Sequence, residues 1–394
     1  MKRLLRLPST YLCLPMLLAC GVTLLTYDLP QGYGQGILML VLASLGIMLA
    51  DVSFAQRLPA PRRFRERRYA GTREGFVALA FAGVVVAFCV LDVLLYPVPL
   101  ISDPSSYASL EPGREHLRHI SDMCWILPVI GLLCARHPAL RYGLVLVGLV
   151  FPVMVIDRNR IFAGLFSIAF VLAFRRDEAR PLPWKAIAVL GLVGCVVFSV
   201  LGTLRSGSIE HVTLPFGDLY RAAPQGVKWL LLYVSAGPYN FAAILAKHYT
   251  NGDFLLHQLV PGSGALATAD TDIPLDAVNI NVGTEYLPFL MAWGAGGAIA
   301  AMVAAYALLL WCVRRLRPAV PLFGLLMFLR IAYVCVMSPF APQIFIWMNG
   351  GFLVLCLLLQ LLAGLLPSRH EPASLSRSDH HHELPAWPTT TKST

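Results

Sequence analysis

Ten apolar runs set the terms for any fold this chain can adopt. They lie at 11–27, 34–54, 75–96, 119–135, 142–156, 161–174, 186–204, 286–313, 319–340 and 343–366. A helix needs about 17 to 25 apolar residues to cross roughly 30 Å of hydrocarbon, and most of these runs approach that length. Composition agrees: 57% of the 394 residues are hydrophobic and 13% are charged, far outside soluble usage. The expected fold is an all-α polytopic membrane protein with about ten transmembrane helices, occupying residues 1–366, followed by a disordered cytoplasmic tail at 367–394 that is rich in Ser, Thr, Pro and His.

Lys and Arg in short loops mark the cytoplasmic side. Their densest cluster, "QRLPAPRRFRERRYAGTR", separates the second and third runs, and alternation from there puts 22 of the 31 basic residues inside and 8 outside, with Arg330 in mid-membrane. Both termini are then cytoplasmic. The segment 229–247, "WLLLYVSAGPYNFAAILAK", could serve as an eleventh span, but the count would become 16 against 14. Gly237-Pro238 at its centre would also break a helix. The expectation is an interfacial helix or bent pair on the outer face, anchored by Trp229, Tyr233 and Tyr239.

The net charge of +9 follows from this topology, so no nucleic-acid partner is implied. All nine cysteines lie within apolar runs and form no CxxC pair, which indicates neither disulfides nor zinc. Cys20, in "LLACG", resembles a lipoprotein cleavage box, yet the apolar run continues beyond it and the first helix is expected to be retained. The run His380–His382 in the tail is weak as a metal site. No metal and no cofactor are expected.

Two outer loops, 97–118 and 205–285, are large enough to form a site. The second carries His211, His248 and His257, several aromatics, and acids including Asp276 and Glu285. Aromatics mixed with carboxylates suit a sugar, whose ring faces stack and whose hydroxyls need acceptors; an ordinary aromatic belt has the same composition.

Arginine placement is sharper. In "VIDRNRIFAGL", Arg158 and Arg160 break the positive-inside trend at the outer start of the sixth helix, where unpaired N–H groups and the helix dipole already attract anions. Asp157 or Asn159 can cap that helix, and Asp157 can pair with Arg158. Arg205 leaves the seventh helix at the same face, and Arg330, in "LLMFLRIAYVC", requires a polar cavity or a partner. Four such arginines suit bidentate binding of phosphate or diphosphate; pairing with Asp157, Asp92 or lipid headgroups is the structural alternative.

The stretch "NVGTEYLPFLMAWGAGG", 281–297, resembles the segment entering a late helix in bacterial oligosaccharide repeat unit polymerases, the Wzy family. Asn281, Val282, Thr284, Pro288, Gly294 and Gly297 match that pattern, while Ala292 stands where an acidic or polar residue is usual. Arg160 opening a helix, Arg205 leaving one and a large outer loop before the Asn-Val segment are similar in order.

The resemblance implies a GT-C-like glycosyltransferase architecture with a large periplasmic loop between helices seven and eight. It also implies metal-independent transfer of a growing glycan from undecaprenyl diphosphate to the next lipid-linked repeat, for O-antigen, capsule or exopolysaccharide. A chain-length regulator (Wzz-like or a copolymerase) and a flippase would be partners. Arg160 and Arg205 would stabilise the leaving diphosphate, supported by Arg158 and Arg330. Glu285 is the first candidate for a general base, followed by His211, His248 and Asp276. Asn281, Thr284 and Tyr239 are candidate sugar-binding residues. Asn281 and Thr284 can equally cap the eighth helix, and Gly294, Gly296 and Gly297 can serve close packing. A ligase transferring glycan to lipid A core, with a histidine in the outer loop, and a transporter using Arg330 and Asp92 are the rival classes.

Overall fold

The computed structural model describes residues 4–54, 57–59, 69–102, 113–174, 183–206, 212–260, 273–277, 280, 282–317 and 320–367, the side chains of 197–206 excepted. Regular structure among them is helical apart from one bridge between Tyr27 and Phe216. The helices are α1 (Ser9–Thr26), α2 (Tyr33–Phe54), α3 (Arg73–Leu95), α4 (Arg114–Ser121), α5 (Leu127–Cys134), α6 (Pro138–Met154), α7 (Arg158–Phe174), α8 (Trp184–Ser206), α9 (Asp218–Ala222), α10 (Gln225–Ala246), α11 (Asp253–Leu259), α12 (Leu287–Arg315), α13 (Leu322–Val336) and α14 (Trp347–Leu365). A 3-10 stretch, Asp122–Ile126, joins α4 to α5. Each of the ten apolar runs falls on helix. Among the described residues, seven segments are long and apolar enough to cross a membrane, and α6, α13 and the Trp184–Val196 part of α8 are shorter apolar helices.

The bundle has two recognisable ends. At the basic end, Arg6 Nε donates to Leu58 O at 3.1 Å, Arg317 donates to Arg57 O, Tyr69 OH donates to Val320 O at 2.7 Å, and Leu322 N donates to Glu74 at 2.8 Å. These contacts gather the starts of α1, α3 and α13 and the ends of α2 and α12. At the other end, Tyr27 and Tyr33 stand beside the buried Tyr239 of α10. Helix starts carry their own signals. Thr72 caps α3 by accepting from Gly75 N at 3.1 Å, and Pro138 and Pro288 sit in the first turns of α6 and α12.

α13 is the central element: every residue from Leu322 to Cys335 is buried. An apolar surface on all sides suits a helix wrapped by others, and Tyr11 of α1 and Phe170 of α7 meet its Phe328 at ring separations of 5.6 and 5.3 Å. Arg330 is therefore carried into the interior.

Three sequence expectations change. Gly237-Pro238 does not break its segment, because α10 runs continuously for 22 residues with Pro238 inside it. Gly237 permits a close approach instead: a Cβ there would lie 1.8 Å from Pro339 O. By length and composition α10 qualifies as a span. Its contacts nevertheless lie at the non-basic end: Lys228 Nζ is 6.0 Å from the Tyr220 ring, Tyr220 stacks on Phe216, Phe216 stacks on Tyr27, and Ala246 faces Gly32.

The 97–118 segment is not all loop either, since Arg114–Arg118 belong to α4. Finally, α12 is kinked at Trp293 and Gly294. Gly294 has φ +67° and ψ −164°, a conformation open in practice only to glycine. Only Gly297 of the three glycines is closely packed, its added Cβ meeting Trp293 Cβ at 2.6 Å and Phe289 O at 2.7 Å; Gly294 and Gly296 have nothing within 4 Å.

Candidate anion site at the non-basic end

The turn from α6 into α7 builds the first part of the site. Ile156 has φ +57°, a conformation rarely taken by a β-branched residue and one that marks stored strain. It turns the chain so that Asp157 precedes α7 as its N-cap, accepting from Arg160 N at 3.1 Å. The Arg160 guanidinium then donates to Asp122 at 2.9 Å and stands 3.8 Å from Asp157. Asp157 thus engages Arg160 through both its cap and its charge. Burial pushes the Asp157 carboxyl up, against the pull of Arg160. Arg158 lies over the Tyr233 ring at 5.4 Å from its centroid.

The second part comes from α13 and α14. Arg330 is 5% exposed. Its Nε donates to Asn349 Oδ1 at 2.7 Å, while its Nη1 is buried with no hydrogen-bond partner among the described residues. Asn349 Nδ2 donates to the carbonyls of Gln343 and Ile344. The Gln343 side chain accepts from Asn159 Nδ2 at 3.1 Å, and Tyr333 OH donates to Asn159. Glu285, fully buried, accepts from the backbone N–H groups of Gln343, of Ile344 at 2.7 Å and of Phe345 at 3.2 Å. Burial pushes its carboxyl up to about 7, even though those three donors pull the other way.

A third group adjoins them. Asp92, fully buried, is held by Arg114 at 2.9 Å and by Arg118 at 3.4 Å, and Arg118 acts electrostatically on Asp157. Among the described residues, four nearly buried guanidinium groups (Arg114, Arg118, Arg160, Arg330) therefore face three carboxylates (Asp92, Asp122, Asp157). A buried cation is costly unless it is paired, and among the described residues Arg330 Nη1 is an open donor in this group.

Of the residues singled out in the sequence, Arg158, Arg160, Arg330 and Glu285 meet in or beside this network. Thr284 is buried close by with its hydroxyl unpartnered, and it does not cap α12, whose N-cap position is Tyr286. Tyr239 belongs to a separate cluster. Its hydroxyl and that of Tyr33 donate to Asp276 at 2.7 and 2.8 Å, and Lys247 donates to the same carboxylate at 2.6 Å. Burial opposes ionisation of Asp276, but these donors outweigh it and hold the carboxyl below its usual range. Asp276 is thus occupied as a latch. His248 is exposed on a turn with φ +51°. His211, Asn281 and the Arg205 side chain lie outside the described residues.

Asp122, Gln343 and Asn349 were not singled out, and Asn159 stood out only as a helix cap. Asp122 and Asn349 interrupt otherwise apolar stretches, "SDMCWIL" and "WMNGGFL", and that interruption was their only sequence signal. No family model, curated protein or solved structure matches the chain.

Proposed function

We propose that this protein is a polymerase of undecaprenyl-diphosphate-linked oligosaccharide repeat units in a bacterial inner membrane, a metal-independent glycosyltransferase with GT-C-like architecture. The non-basic end faces the periplasm, and the basic end and both termini face the cytoplasm, in keeping with the positive-inside rule. The observation that carries the reading is Arg330: a buried guanidinium fixed through Nε, with an Nη1 that has no hydrogen-bond partner among the described residues. The resemblance of 281–297 to Wzy-type polymerases supplies the substrate class.

In the reaction a hydroxyl of the acceptor sugar forms a bond to the anomeric carbon of the donor glycan. The bond from that carbon to the diphosphate oxygen breaks, undecaprenyl diphosphate leaves with the electron pair, and the proton of the acceptor hydroxyl is released to water. Arg330 and Arg160, with Arg158 at the rim and Arg205 leaving α8, stabilise the charge that develops there. Preorganised donors in a dry site need no reorganisation at the moment of reaction. Asp122 and Asp157 hold Arg160 in place, so it enters the reaction already oriented.

The test is purified protein in liposomes with an undecaprenyl-diphosphate-linked repeat. A ladder of added repeats is the expected product. Transfer only to lipid A core would replace the reading with a ligase, and absence of any covalent product would replace it with transport.

A further inference from the structure

Glu285 is the obvious acid near the arginines, yet its geometry is unlike that of a proton acceptor. It is fully buried, and its two carboxylate oxygens are shared among three backbone N–H groups, those of Gln343, Ile344 and Phe345. Its own N–H donates to Ser338 O at 2.7 Å. One residue thus fastens both ends of the connection between α13 and α14, a non-helical crossing that contains Pro339 and Pro342. Without Glu285 those N–H groups, of which that of Ile344 is buried, would need another partner.

The consequences run further than the connection. Asn349 Nδ2 is committed to the carbonyls of Gln343 and Ile344, so the carbonyl end of its amide is turned toward Arg330 Nε at 2.7 Å. Where those two carbonyls sit decides which way Asn349 faces, and Glu285 decides where they sit. Gln343 also takes the Asn159 amide on its side chain, which ties the same connection to α7 and Arg160.

We infer that Glu285 is a positioning residue for the diphosphate site, orienting Arg330 through the 343–345 backbone and Asn349, and that it takes no proton from the acceptor hydroxyl. The inference rests on the proposed diphosphate reading of Arg330. Outer partners that orient metal ligands change affinity about 10- to 100-fold when removed, and the lower end of that scale is the expectation taken for Arg330.

The test is titration of the detergent-purified full chain with inorganic pyrophosphate. Glu285→Gln replaces one acceptor oxygen with an NH2 that faces backbone donors; it is expected to weaken pyrophosphate binding about ten-fold, and Glu285→Asp, which keeps the carboxylate, to recover part of that loss. In an Arg330→Ala background, Glu285→Gln should have no further effect, because its influence runs through Arg330. Should Glu285→Gln fail to fold, Asn349→Leu cuts the same relay at its last step and is expected to give the same loss. Unchanged pyrophosphate affinity in these variants while Arg330→Ala weakens it, or additive losses in the double variant, overturns the positioning role alone. Unchanged affinity in Arg330→Ala overturns the diphosphate reading as well.

Discussion

Replacing Gly237 by alanine tests the packing on which the site rests. The added Cβ would stand 1.8 Å from Pro339 O and 3.0 Å from Pro339 C, whereas ordinary contacts begin near 3.4 Å. The gap must therefore open by about 1.6 Å, and the obstacle is backbone, which cannot swing aside as a side-chain tip does. Overpacking of this kind costs about 1 to 3 kcal/mol or more, while exchanging Gly for Ala in a helix returns at most about 1 kcal/mol. A clash this close against backbone belongs at the upper end of that cost, so the net expectation is a loss of about 2 kcal/mol. Because Ser338, next to Pro339, accepts from Glu285 N, anion affinity should fall too. The assay is reversible unfolding in mixed micelles, with Gly46→Ala and Gly83→Ala as controls: both are helical glycines whose added Cβ meets nothing within 4 Å, and both are expected to hold or gain stability. A Gly237→Ala protein as stable as the parent would refute the close contact between α10 and the Pro339 turn.

Three further outcomes follow from buried charge. Asp92→Asn leaves Arg114 and Arg118 without their carboxylate and is expected to destabilise the protein by about 3 to 5 kcal/mol, read by the same unfolding assay. Glu285 should make stability fall as pH rises. Its folded-state pKa of about 7 exceeds its ordinary 4.5, so its contribution is complete below about 4.5 and is lost by about 7, a span worth about 3 kcal/mol; the slope over that range should be absent in Glu285→Gln. Asp276 has the opposite sign, being held below its ordinary 3.8 by its donors. Its contribution is present above that value and is lost in acid, and Asp276→Asn should flatten the acid limb.

The apolar runs are legible because lipid requires a length and a composition that sequence displays directly, and each of the ten falls on helix. Arg330 is legible because a cation at membrane depth is expensive, and Arg160 because it breaks the positive-inside trend at the start of a helix. Their partners are not. Asp122 reaches Arg160 only because α4 ends in a 3-10 stretch beside α7, and Asn349 reaches Arg330 only because α14 follows α13 through a connection pinned by Glu285. Local rules also misread Gly237-Pro238, where close approach to Pro339 accounts for the glycine and the helix continues through the proline. In α12 the apolar run continues across Gly294, and only the backbone angles reveal the kink.

The central claim is that guanidinium groups at the non-basic end hold the diphosphate that leaves during glycan transfer. Its most direct test is the yield of undecaprenyl diphosphate per repeat added, measured with the reconstituted protein in the presence of a chelator. The account requires one undecaprenyl diphosphate released for each repeat joined, with release lost in Arg330→Ala while the protein still folds. Chain growth without that release, or full release from the Arg330→Ala protein, would contradict it.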